Sequence, residues 1–197
     1  MEKSLAAKGR YKPYLLTILS MGLIFPVFSL DAVFSLCRKA IKHYLDTGQK
    51  IQIPDLSGIF QEKIPVFVSL RRGNQTRGCA GTFSAERSFA ENLIDFSIIA
   101  ATQDFRYRAI DEQELEEIMI QITIPGKPIE ISSLASYNPE SEGLVVEQRG
   151  RYGVVLPREA RTAQYALKIA LRNAGIDDVQ AARLLKFKAR IFLEGKK

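Results

Sequence analysis

Apolar residues recur along this chain with two distinct periods, and the switches between them outline the elements. From Asp31, positions Ala32, Val33, Leu36, Cys37, Ala40, Ile41, Tyr44 and Leu45 repeat at three- and four-residue steps. Arg38, Lys39, Lys42 and His43 take the opposite face, so an amphipathic helix is predicted, capped by Ser29 or Asp31 and stopped by Gly48. A loop over Ile51–Phe60 leads to Ile64–Leu70, a β-rich alternation. Its hairpin partner is predicted over Arg77–Phe83, after the polar turn Arg71–Gln75. A second helix is expected from Glu86 to Ala101 with Ser84 as cap, its stripe being Phe89, Leu93, Phe96 and Ala100. A short acidic helix start follows at Asp111–Glu117, then a strand at Ile118–Ile124 halted by Pro125-Gly126. Leu144–Gln148 and Tyr152–Leu156 read as a hairpin about Arg149-Gly150-Arg151. A helix from Pro157 to about Asn173, ended by Gly175, a short helix over Asp177–Leu185 and a strand over Phe187–Leu193 complete the pattern.

Strands that pair through short turns, without regular alternation with helices, give an α+β class with a mostly antiparallel sheet. No repeat or interdomain linker interrupts it. The organisation expected is one domain over residues 29–197, preceded by residues 1–28, a basic tail and an apolar segment.

Charge matters chiefly through its placement. Of the formal +6, residues 1–12 supply +3 through Lys3, Lys8, Arg10 and Lys12 against Glu2. The uncharged run Tyr14–Leu30 follows directly. As a helix it would reach about 25 Å, a little short of a ~30 Å hydrocarbon core, and Pro26 interrupts it. Three readings of it stay open: a membrane anchor or uncleaved signal, a cleaved signal, or the plainer one in which translation begins at Met21 or the segment simply packs on the domain. The domain itself is close to ordinary in charge, which leaves little reason to expect nucleic acid. A cytoplasmic location is expected, with membrane anchoring through residues 14–30 as the alternative.

Two cysteines exclude a disulfide scaffold, and with one histidine they leave no transition-metal site of normal ligand count. Phosphate-loop, dinucleotide and serine-hydrolase motifs are absent, and no cofactor is called for. Glu114, Glu116 and Glu117 are expected to be a solvated helix face. Lys186, Lys188 and Arg190 alternate with Phe187, Ala189 and Ile191, as on a half-exposed edge strand.

The densest feature is Arg77-Gly-Cys-Ala-Gly-Thr82. Glycines flanking a cysteine in a strand weaken it, so something should require them. In one reading Gly78 and Gly81 admit a ligand or another backbone, Cys79 is a reactive sulfur with its pKa lowered by Arg77, and Thr82 supplies a hydroxyl. In the other, Cys79 is a small buried apolar residue. His43 is not placed near it by anything in the sequence. A second constellation, Asp104-Phe-Arg-Tyr-Arg108, offers Arg106 and Arg108 to an anion and Phe105 or Tyr107 to a planar group. Its alternative is an ion pair from Asp104 to a local arginine that pins the loop.

The hexapeptide resembles the signature of the AMMECR-type domain family, Leu-Arg-Gly-Cys-Ile-Gly-Thr in its usual form. Asp104-Phe-Arg-Tyr, Glu142-Gly-Leu-Val and Val155-Leu-Pro157 fall in the family's order, over most of residues 31–193. The sequence departs from the pattern at Thr76, Ala80, Phe105 and Arg158. The resemblance implies an α+β fold with the motif lining a cleft. It implies Arg77, Gly78, Cys79, Gly81, Thr82, Asp104 and Arg106 as site residues, with Cys79 the candidate nucleophile or attachment point. It also implies action beside a Memo-type protein and a radical S-adenosylmethionine enzyme in a modification pathway, and a small anionic or nucleotide-like ligand. A non-enzymatic scaffold is the alternative, and a nucleic-acid-binding module ranks below it.

Overall fold

The computed structural model describes residues 30–195. Residues 1–29, with the basic tail, almost all of the apolar run, the Met21 start and the boundary at residue 28 or 29, lie outside the described residues. Among the described residues no helix is long and apolar enough to cross a membrane.

Helix α1 (Leu30–Thr47) buries Val33, Phe34, Leu36, Cys37, Ala40 and Ile41, the stripe that the periodicity marks. Gly48 ends it with φ +71° and donates its amide to the Tyr44 carbonyl at 2.8 Å. A 3₁₀ turn at Gly58–Gln61 breaks the expected loop. Strands β1 (Phe67–Arg72) and β2 (Gln75–Gly81) form the first hairpin, both shifted from the sequence expectation. Helix α2 (Phe89–Thr102) starts three residues later than predicted, because Ser88 and Glu91 form a reciprocal capping box that Ser84 cannot match. The Ser84 amide instead donates to Thr82 Oγ1 at 2.9 Å in a local turn.

Helix α3 (Glu112–Glu117) is capped by Asp111 and feeds β3 (Met119–Pro125). A three-residue strand, β4 (Ile129–Ile131), was not foreseen. Strands β5 (Glu142–Gln148) and β6 (Arg151–Val155) turn through Arg149 and Gly150, with φ +52° and +78°. Positive φ at both turn positions matches the twist of a two-residue hairpin.

Two helix expectations are corrected. Helix α4 runs from Ala163 to Ala174, not from Pro157; Thr162 caps it, and left-handed Arg158 (φ +69°) keeps the preceding segment out of the helix. The helix expected over Asp177–Leu185 does not form, because strand β7 (Arg183–Leu193) takes its last three residues into the sheet. Nor is β7 an edge strand. The order is β2-β1-β3-β7-β5-β6, all pairings antiparallel, with β4 also on β7. Its Lys186 is held by Glu142 at 3.0 Å, so the cation serves an interior pairing.

The sheet curls, and its two faces have different partners. On one face Val68, Leu70, Ile120 and Ile122 pack with α1 and α2, while Leu144, Val146 and Val155 pack against α4. The other face gathers Phe67, Val145, Leu156 and Phe187. Phe83 joins them, its ring edge-on to Phe67 and Phe187 at 5.0 and 4.9 Å between centroids.

Candidate functional site

β2 lies at the edge of the sheet, so some of its backbone groups have no strand to pair with. At Cys79 they are met by a loop. The Cys79 amide donates to Asp104 Oδ2 at 2.8 Å, and Arg106 Nη2 reaches the Cys79 carbonyl at 3.4 Å. Arg106 also grips Asp104 through Nε–Oδ1 (2.8 Å) and Nη2–Oδ2 (2.6 Å), and its own amide donates to Oδ1 at 3.1 Å. Asp104 and Arg106 therefore stand in for a missing strand at one residue of the edge. The two motifs singled out in the sequence meet here.

Beside this junction a cleft of about 330 Å³ opens. Cys79, Ala80 and Gly81 of β2 form one wall, with Phe96, Ile99 and Gln103 from the end of α2 next to it. Residues 104–106, Tyr152 and Val154 of β6, Leu156, Glu159 and Asn173 close the remainder. Phe105 and Tyr152 stand at its opening, 79% and 62% exposed.

Arg77, Gly78 and Thr82 are not part of that lining. Arg77 is held by Glu114 through Nε–Oε1 (2.5 Å) and Nη2–Oε2 (3.0 Å), and by the Arg108 carbonyl at 2.8 Å. Glu114 is accordingly buried, which corrects the solvated face expected for it. Gly78 is required by packing: a Cβ there would lie 2.0 Å from the Ala100 carbonyl oxygen of α2. The close approach is thus by another backbone, one of the two occupants foreseen. Gly81 lines the cleft, yet a Cβ on it would fall 2.3 Å from the Phe67 ring, which lies across it. Thr82 donates its amide to the Val66 carbonyl at 2.9 Å and accepts from Ser84 in the turn.

The electrostatics decide what Cys79 can do. Burial pushes its thiol up to about 12, the Glu159 charge adds to this, and the contacts with Ser69 and Arg106 only partly oppose it. Ser69 Oγ lies 3.3 Å from the sulfur. The shift is opposite to the lowering expected from Arg77, whose side chain is engaged with Glu114. His43 sits on α1 and is not among the cleft residues. A thiol raised in this way is a weaker nucleophile at neutral pH, and its residue forms part of the cleft wall. Asp104 is desolvated, but the bonds from Arg106 and the Cys79 amide outweigh this and hold its carboxyl below the usual range. Glu159 moves the other way, raised by burial against its bonds from the Leu156 amide (2.9 Å) and Thr76 Oγ1 (3.4 Å).

Sequence reasoning missed Glu159 and Asn173. A carboxylate two residues after a strand-ending Leu-Pro is a weak signal, and Asn173 reads only as the end of a helix. Tyr152 was placed in its strand but not at a cleft.

Residues 34–192 match the AMMECR1 family, which is most of the chain. The protein belongs to the AMMECR1 family. A Methanothermobacter thermautotrophicus protein is similar to this AMMECR1 chain at 29% identity over 174 residues, 81% of the chain and 91% of that protein. A Clostridium acetobutylicum protein is 32% identical over 165 residues, 80% of the chain but 35% of that protein. Among solved structures, an uncharacterized protein from Pyrococcus horikoshii superposes with a TM-score of 0.72 at 27% identity, covering 83% of this chain and 90% of its own. The α+β antiparallel architecture is therefore that of an AMMECR1 domain.

Proposed function

We propose that this AMMECR1 domain is a binding module whose cleft takes a small planar, nucleotide-like ligand, and that it acts with a Memo-type protein and a radical S-adenosylmethionine enzyme in a modification pathway. The ligand half rests on how the cleft is built: apolar walls, two exposed aromatic rings at the mouth and a few polar groups inside. Rings placed this way suit stacking on a heterocycle, worth about 1–3 kcal/mol per base. A free anion is a poorer fit, because Arg106 is already paired with Asp104 and Arg77 with Glu114. The protonated Cys79 favours binding over thiol chemistry.

The partner half comes from the family resemblance.

The chain has no tryptophan and seven tyrosines, so the Tyr152 contribution to the emission is read as the difference from a Tyr152→Phe variant. Titration with nucleosides and nucleotides should give saturable changes, with affinity reduced about tenfold or more when Phe105 and Tyr152 are both replaced by alanine. Absence of saturable binding across that panel would overturn the ligand reading. For the partner half, the chain should co-elute with the Memo-type or radical protein of the same organism at micromolar concentration, and separate elution of all three would overturn it.

A further inference from the structure

Two neighbouring positions of β2 present their backbone to the open side of the sheet, and only one of them is satisfied there. In an antiparallel ladder the N–H and C=O of successive residues point alternately toward the partner strand and away from it. Ala80 stands opposite Val68, and Thr82 donates to the Val66 carbonyl at 2.9 Å, so positions 80 and 82 turn inward, to β1. Cys79 and Gly81 therefore turn outward. At Cys79 the bonds to Asp104 and Arg106, both of which line the cleft, mark that direction. Gly81 aims its N–H and C=O the same way, and among the described residues neither group has a hydrogen-bond partner. Asp104 and Arg106 thus replace a strand for one residue, and their reach ends there.

Gly81 itself lines the cleft, with the Phe67 ring across one face and no side chain to hold a ligand off. An outward strand residue offers a donor and an acceptor side by side in the plane of the sheet. A small ring can match both only if it carries an acceptor and a donor on adjacent atoms of one edge. Nucleobases do so, through O4 and N3–H of uracil or N1 and N6–H of adenine. A phosphate carries acceptors alone and would leave the Gly81 carbonyl unmatched, at about 1–3 kcal/mol once water is excluded.

Resting on the reading of the cleft as a planar-ligand site, we infer that the Gly81 backbone reads the donor–acceptor edge of a nucleobase, which extends the sheet beside β2 while Phe105 and Tyr152 meet its faces. The side chain in the lining that rivals this role is Gln103, whose amide is donor and acceptor at once. Asn173 is no rival, since its Nδ2 is on the Val154 carbonyl and its Oδ1 is buried.

Uridine and adenosine are the probes, each set against the form whose edge donor is methylated, 3-methyluridine and N6,N6-dimethyladenosine. The full chain should bind the tighter of the two parents about tenfold or more better than its methylated form. That ratio should persist in Gln103→Ala, because it belongs to backbone. In wild-type protein labelled at glycine nitrogen, saturation with the parent should slow hydrogen exchange at the Gly81 amide about tenfold or more. Equal binding of parent and methylated forms overturns the inference and leaves the planar site standing. An unchanged Gly81 exchange rate does the same without any variant. A ratio that collapses in Gln103→Ala also overturns it, assigning the reading to that side chain. Binding of neither parent removes the planar site itself.

Discussion

The backbone amide of Cys79 donates to the side chain of Asp104 across 25 residues of sequence, at 2.8 Å. This bond joins the glycine-cysteine strand to the Asp-x-Arg loop. Arg106 completes it from the other side, so the sheet edge is closed by side chains at the point where the cleft begins. The same contacts that blunt an exposed edge also fix Phe105, between them, at the mouth of the cleft.

Asp104→Asn should therefore be costly. The asparagine can still accept from Cys79 but cannot pair with Arg106, leaving a half-buried guanidinium without its counter-charge, at about 2–4 kcal/mol. The pH dependence has a defined sign. Asp104 has its carboxyl held below the usual range in the fold, so its stabilisation is present above the unfolded value near 4 and is lost as pH falls through the folded one. Urea midpoints from pH 5 down to pH 2 should fall less steeply in Asp104→Asn than in the wild type. Parallel curves would contradict this account.

Gly78 tests the packing explanation of the motif. Ala at position 78 would drive its Cβ to 2.0 Å from the Ala100 carbonyl oxygen, and backbone cannot move aside as a side chain can. Gly78→Ala should cost about 3 kcal/mol or more, with a matching fall in Tm. Gly150 has φ +78° but open space around it, so Gly150→Ala should cost only about 1–2 kcal/mol. If Gly78→Ala melts no lower than Gly150→Ala, the glycine is not there for α2.

These cases show what a sequence can display. The oddity of Gly78 and Gly81 was visible, because glycine in a strand is locally unfavourable. The atoms that require them, the Ala100 carbonyl and the Phe67 ring, lie on other elements and leave no local trace. Helix α1 was legible to within a residue, its period and Gly48 stop being properties of one segment. β7 was misplaced at the edge because alternating Lys and Phe is equally compatible with an interior strand whose lysine meets Glu142. Glu159 and Asn173 come from separate elements of the second half of the chain, and only the curl of the sheet brings them to Cys79.

Glu114 supplies a sharper test of the same point. Its side chain is 7% exposed and that of Arg77 15%. Glu114→Ala leaves a buried guanidinium unpaired and should cost about 3–5 kcal/mol. Glu117, in the same short helix, pairs with Arg72, but both side chains are 59% exposed, and Glu117→Ala should change stability by less than about 1 kcal/mol. Denaturant midpoints of the two variants should differ severalfold in shift. Equal shifts would return Glu114 to the solvated face expected of an acidic run.

The thiols give the alkaline counterpart. Burial pushes Cys79 up to about 12, with the Glu159 charge adding to the effect, and burial alone is the leading cause of the same value for Cys37. An unfolded cysteine titrates near 8.5, so between that pH and about 12 the unfolded chain has released protons that the folded chain retains. Stability is then whole below about pH 8.5 and declines as pH rises across that window, because ionisation favours the unfolded state. Cys79→Ser removes one of the two titrating groups and should make the decline from pH 8.5 to 10.5 shallower, with little change at pH 7. At neutral pH the native thiol should react with iodoacetamide far more slowly than the same thiol in denaturant. Native labelling at the rate of a free thiol, together with an unchanged alkaline slope in Cys79→Ser, would restore Cys79 as a nucleophile and remove its role as an inert wall of the cleft.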